Sequence, residues 1–259
     1  MPDNSTVSCY DDHARAYDAY QSAVVPCYDD MLDLVAKTCQ RYLGKSPKIL
    51  DLRCGTGNAS VAVLKRVTAR IDLIDGSSRM VEIAREKIDL ESPGSVVGYR
   101  VADLSKAGWD EGLGFFECDV IVSTLVLEHL PNNSYRRMLD SCHRLLKPGG
   151  WLIAVEGYEE EDSDMLQWFN EEMESRRSRL DPKISDFIAQ LRSEKEVHYY
   201  CGKSEKAAWW REARFFAGEH PLAVPLRCTY GGQEALRSLK NMESCSKPKG
   251  PHQQPASSS

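Results

Sequence analysis

A chain of 259 residues with 42% hydrophobic side chains can close one full-sized core, so its length alone asks for no second domain. A formal net charge of −6 and a pI near 5.6 exclude a general attraction to phosphate backbones. With no basic leader and no run of roughly 18 apolar residues, neither an export signal nor a membrane span is expected.

Taken in order, residues 1–8 are polar and contain Pro2, and are expected to be disordered. Residues 9–242 are expected to form one domain, opening with a helical cap over about 9–45 in which Leu32, Leu34, Val35 and Cys39 share a face before Gly44. Lys48–Leu52 reads as a buried strand, followed by a glycine turn and a helix over 59–67. Arg70–Asp75 reads as the second strand, with a helix over 78–87 turning Met80, Ile83 and Ala84 inward. Residues 97–103 supply a third strand and 118–123 a fourth, whose unbroken apolar run suits a strand covered on both faces. A helix over 134–146 is stopped by Pro148-Gly149-Gly150, and Trp151–Glu156 is the fifth strand. This alternation predicts an α/β, Rossmann-like, doubly wound and mainly parallel sheet.

After the fifth strand the alternation breaks, and residues of about 157–200 read as an insert on the acceptor side. Met165, Leu166, Trp168, Phe169 and Met173 fall on one helical face, and Phe187, Ile188 and Leu191 on another. Such stripes are core or pocket wall. An amphipathic helix follows over 204–214. Residues 243–259, rich in Ser, Pro and Gln, have almost nothing to bury and read as a disordered tail.

The chemistry concentrates where strands turn into helices. Asp51-Leu52-Arg53-Cys54-Gly55-Thr56-Gly57-Asn58 leaves the first strand at the edge where open α/β sheets receive ligands, and its glycines let a ligand approach the backbone. Asp75, followed by Gly76, ends the second strand, where a carboxylate can accept two hydrogen bonds from a ribose diol. Asp103 ends the third within reach of an adenine amino group. Either aspartate alone reads equally well as a helix cap. The nine cysteines are scattered and never spaced Cys-x-x-Cys, which argues for small buried side chains and against a metal site.

Five pieces in order, Ile49–Asn58, Leu73–Met80, Val101–Leu104, Asp119–Leu130 and Leu146–Leu152, resemble the class I S-adenosylmethionine-dependent methyltransferases. The resemblance implies a seven-stranded sheet, completed by an antiparallel pair from 222–232, and S-adenosyl-L-methionine as cofactor. It implies Asp51 beneath the glycine turn and Gly55 and Gly57 against the cofactor. Asp75 and Gly76 fall at the ribose, Met80, Asp103 and Leu104 around the adenine, and Ser123 on the reaction cleft. Tyr10–Asp18 resembles the cap helix of members acting on small molecules, where a residue such as Tyr17 closes over the methionine half.

One position departs from the family pattern. Arg53 stands where the first motif glycine belongs, either blocking the cofactor or pairing with its methionine carboxylate. Methyl transfer from a sulfonium asks mainly for alignment and desolvation, so no catalytic base is assigned, and His129 is not nominated. The expected function is transfer of a methyl group to a small-molecule acceptor in the cytoplasm, with neither nucleic acid nor membrane as partner. Two alternatives stay open. One is a transfer-RNA-modifying relative, using Arg176, Arg177, Arg179 and Lys183. The other is a catalytically impaired binding or regulatory module, motivated by Arg53.

Overall fold

The structure is a computed structural model and describes residues 14, 17–111, 117–157, 162–182, 185, 202–215 and 226–227. All lie in the unit Met1–Cys228; a second unit, Thr229–Ser259, falls outside them. The expected tails, the 187–191 stripe and most of the 222–232 strand pair therefore lie outside the described residues.

Helices α1 (Tyr17–Val24) and α2 (Tyr28–Tyr42) precede strand β1 (Lys48–Leu52). Then come α3 (Asn58–Leu64), β2 (Arg70–Asp75), α4 (Ser78–Glu91), β3 (Val96–Val101) and β4 (Cys118–Thr124). A single 3₁₀ turn, Leu127–His129, leads to α5 (Asn132–Leu145) and β5 (Leu146–Glu156). The described chain continues with α6 (Ser163–Arg177), α7 (Lys203–Glu212) and a two-residue β6 (Leu226–Arg227).

The strand order is β3-β2-β1-β4-β5-β6, every pair parallel. Parallel neighbours need crossovers, and burying both faces under them demands apolar strands. Cys118, Val120, Ile121 and Val122 are accordingly buried in β4. The winding reverses between β1 and β4, which opens a crevice at their carboxyl ends.

Helices α2, α3 and α4 pack in sequence, with α4 resting on β2 and β3. Tyr135, Met138, Leu139 and Cys142 of α5 join Trp209 and Trp210 of α7 and Phe215 in a cluster that includes Leu50, Leu52 and Ile121 of the sheet. At roughly 25 cal/mol per Å² of apolar surface, the aromatic members dominate what this packing contributes.

Three expectations need correction. The closing strands are neither antiparallel nor seven in number among the described residues: five full strands are joined by β6, which runs parallel to β5. The glycine pair does not separate α5 from β5, because the strand starts directly at Leu146. A register shift between Cys118 and Val120 on β4 absorbs Pro148-Gly149-Gly150 as a bulge, with Gly149 at φ 78°. Finally, the α6 stripe is not core: Met165, Leu166, Trp168 and Phe169 are 36–43% exposed. Only Met173 is buried, against Val24, with Tyr20 and Leu180 beside them.

Candidate functional site

The turn after β1 is built for close approach. Arg53, Gly55 and Gly57 all have positive φ (54°, 50° and 78°). The left-handed region costs a side-chain-bearing residue about 1–2 kcal/mol, so Arg53 keeps a glycine-like backbone at an energetic penalty. Cys54 N–H ties the turn to β2 through the Ile74 carbonyl at 2.9 Å. Beneath it, buried Asp51 accepts from the Ser60 hydroxyl; burial raises its carboxyl to about 6, with the neighbouring Asp75 charge adding to the rise.

Asp75 is the best-defined group. Its Oδ2 accepts from Gly55 N–H and its Oδ1 from Ser77 N–H, both at 2.9 Å, and it is 9% exposed at the end of β2. A carboxylate oxygen has two lone pairs, so both oxygens keep accepting capacity after these bonds. A Cβ at Gly76 would meet nothing nearer than the Ala102 carbonyl at 3.9 Å, leaving room beside the carboxylate. Ser77 caps α4 by accepting from Met80 N–H at 3.0 Å, and Met80 is buried. Asp103, past the end of β3, is exposed and accepts from Ser105 N–H and hydroxyl at 2.9 and 2.7 Å, while Leu104 joins the core. The β2 and β3 ends meet where Ala102 N–H donates to the Asp75 carbonyl at 2.8 Å.

Two of the expected site residues make structural contacts of their own. Gly57 faces α4: a Cβ there would meet Ala84 Cβ at 3.0 Å and Cα at 3.1 Å, so it serves helix packing. Ser123 lines no cleft; it is fully buried and donates to the Leu52 carbonyl at 3.1 Å, bridging β4 to β1. Arg53 extends toward the exit of β4, where its Nη1 donates to the Val126 carbonyl at 3.4 Å. No carboxylate pairs with it among the described residues.

Helix α1 covers this turn. Tyr17 stands 3.6 Å from where a Gly55 Cβ would be, and burial drives its hydroxyl pKa well up. Asp18 fastens the cap: one of its oxygens accepts from Thr56 and from Asn58 (2.9 Å), the other from Lys87 of α4 at 2.7 Å. Asn58 also donates to Tyr28 at 2.9 Å. Burial pushes the Asp18 carboxyl up, but the bonds from Lys87, Thr56 and Asn58 outweigh it and hold it below its usual range. The sequence points to no role for Tyr28 and Lys87, and for Asp18 only to its place at the end of the Tyr10–Asp18 segment. The available signal was an acid beside Tyr17 on a cap expected to lie over the glycine turn.

A second polar group lies on the other side of the crevice. Lys206 of α7 donates to Glu156 at 2.6 Å and to the Gly157 carbonyl at 3.1 Å, Tyr135 donates to Glu156 at 2.7 Å, and Trp210 donates to Tyr135 at 2.7 Å. Glu156 and Lys206 are essentially inaccessible. Glu128, on the 3₁₀ turn, is 5% exposed, and its Oε2 has no hydrogen-bond partner among the described residues. Burial, with a contribution from Glu156, raises its carboxyl to about 7 despite backbone hydrogen bonds and Lys206.

Part of the chain is similar to known proteins. Residues 49–150 match the family model described as a methyltransferase domain. A carboxy-S-adenosyl-L-methionine synthase of Yersinia enterocolitica is 25% identical over 150 residues, covering 56% of this chain and 53% of that protein; the one from Erwinia tasmaniensis is 26% identical over 144 residues, 54% and 56%. The chain thus spans about half the length of the curated relatives it matches. Among solved structures, an O-methyltransferase family protein from Burkholderia thailandensis superposes with TM-score 0.53 at 22% identity over 77% of this chain and 54% of that one. Phosphoethanolamine N-methyltransferase 2 from Haemonchus contortus, in complex with phosphomonomethylethanolamine and S-adenosylhomocysteine, gives 0.56 at 16% identity over 82% and 45%. Those two structures share the fold.

Proposed function

We propose that the methyltransferase domain of residues 49–150, which has the class I S-adenosylmethionine-dependent fold, binds that cofactor across the β1 turn and transfers its methyl group to a small-molecule acceptor. The observation that carries this reading is the Asp75 carboxylate, fixed by Gly55 N–H and Ser77 N–H at the crevice with lone pairs to spare. Asp75 would take the ribose diol, the Gly76 opening gives the nucleoside room, and Met80 and Leu104 back the adenine side, with Asp103 at its rim. The bound sulfonium supplies an activated methyl group. Tyr17 and the Asp18 latch exclude water from the turn, which strengthens every charge interaction inside it.

With the ribose on β2, the methionine half lies toward β4, and Arg53 reaches there. Its guanidinium, held by a single long bond to a carbonyl, is the cation available for the methionine carboxylate. A second reading, synthesis of carboxy-S-adenosyl-L-methionine as the Yersinia and Erwinia relatives are named for, is favoured by the same cation, which pairs with no carboxylate among the described residues. The RNA-modifying reading loses support because Arg176 and Arg177 pair with Glu172 and Glu174 of their own helix. No helix among the described residues is long and apolar enough to cross a membrane.

Calorimetry with S-adenosylmethionine and S-adenosylhomocysteine tests the reading. Wild type should bind both, and Asp75→Ala should weaken each by about 100-fold, as expected for losing charged hydrogen bonds worth about 3 kcal/mol together. If wild type binds neither, the chain is not a cofactor-dependent transferase. Turnover with methyl-labelled cofactor and fractionated metabolites then identifies the acceptor.

A further inference from the structure

The carboxyl edge holds one ionisable group that cofactor binding does not use. Glu128 lies on the turn Leu127–His129 directly beyond β4, two residues after the carbonyl that receives Arg53. It is therefore across the switch crevice from Asp75, on the side where the methyl-bearing end of the cofactor is expected under the proposed function.

Its surroundings leave it incomplete. Glu156 enters from β5 and Lys206 from α7; Tyr135 from α5 is bound to Glu156. Lys206 donates to Glu156 and to the Gly157 carbonyl, and among the described residues Glu128 Oε2 receives nothing. Among those residues two buried carboxylates thus lie beside one buried ammonium. A buried carboxylate oxygen without a donor is costly, so such a group holds a proton or awaits a cation with donors of its own.

We propose that Glu128 is the acceptor-binding residue of the domain, taking an amine acceptor as its ammonium and receiving the proton that methylation displaces. An alkylammonium supplies the missing positive charge and up to three donors. The step balances. R–NH3⁺ gives a proton to the Glu128 carboxylate, and the freed nitrogen lone pair forms the bond to the methyl carbon. The carbon–sulfur bond breaks with its electron pair staying on sulfur, leaving R–NH2⁺–CH3, S-adenosylhomocysteine and a neutral Glu128. Burial places the carboxyl near 7, where a general base for an amine is effective. A neutral alcohol would bring neither the charge nor a readily removed proton.

The inference rests on the methyl-transfer reading, and the test separates the two. The full chain, with and without S-adenosylhomocysteine, is titrated calorimetrically at pH 8 with propylamine and with propanol. Wild type should bind the amine at least tenfold more tightly than the alcohol. Glu128→Gln should lose that preference while melting no lower than wild type, and Glu128→Asp should keep part of it. Transfer from methyl-labelled cofactor to propylamine should fall at least tenfold in Glu128→Gln with cofactor affinity unchanged. Equal affinity for amine and alcohol, or an undiminished preference in Glu128→Gln, overturns the proposal. Failure to bind S-adenosylhomocysteine overturns the transferase reading instead, and the titration without it still decides the role of Glu128.

Discussion

On the two sides of the switch point, carboxylates are held in different ways. Asp75 is fixed by two backbone N–H groups, one supplied two residues later in sequence and the other by the adjoining strand turn. Glu156 depends on side chains, with Lys206 of α7 and Tyr135 of α5 drawn from 50 and 21 residues away, and Trp210 bound to Tyr135 across 75 residues, while Glu128 beside them gets no side-chain donor for its Oε2 among the described residues. A backbone cradle tolerates side-chain change around it and suits a ligand common to many proteins. A side-chain cluster is individual, and a single substitution can unbalance it.

Removing Lys206 should break this contrast most sharply. Lys206→Met leaves Glu156 charged in a fully buried site and should destabilise folding by about 3–5 kcal/mol in a denaturant titration. The double variant Lys206→Met/Glu156→Gln should recover most of that loss; if it does not, packing rather than charge pairing holds α7 in place.

The acidity of Glu128 sharpens the comparison next. Its folded carboxyl titrates near 7, above its unfolded value near 4.5, so stability falls as pH rises from the lower value to the higher and stays reduced beyond it. Glu128→Gln should therefore be more stable than wild type by roughly 3 kcal/mol at pH 8. The difference should vanish near pH 4. Melting curves across that range check it, and a difference independent of pH would show that ionisation is not the cause.

The smallest expected effect lies on the cradle side. Arg53→Gly relieves a left-handed backbone but gives the unfolded chain more freedom, so the net gain should be about 0.5–1 kcal/mol. The same variant should bind S-adenosylmethionine more weakly while leaving affinity for its decarboxylated analogue unchanged. Equal weakening of both would mean that Arg53 shapes the turn and does not read the carboxylate.

How far each side could be read from sequence follows from the same contrast. The five strands, the glycine turn and the positions of Asp75, Met80 and Leu104 are set by local periodicity and by short motifs at strand ends, whereas the order of the strands across the sheet is set by long-range pairing. Ser123 misled because strand alternation does not reveal that its hydroxyl turns inward to the Leu52 carbonyl. Gly57 is ambiguous in sequence because a cofactor contact and the close packing of α4 ask for the same missing Cβ. Met165 to Phe169 carry a helical apolar stripe that no described partner buries, and periodicity cannot say what an apolar face meets. Glu128 sits in the Asp119–Leu130 segment beside His129, yet nothing local marks it as buried; the approach of α7 and β5 makes it so.

The latch at Asp18 has a kinetic consequence. Three donors from the turn and from α4 converge on the one carboxylate of Asp18, and the cation among them, Lys87, is a quarter exposed. Loosening that knot frees the end of α1 over the turn while Val24 stays packed on Met173, and dissolved ions reach it readily. Exchange of whatever lies beneath Tyr17 should thus quicken with ionic strength, while the sheet below stays indifferent to it.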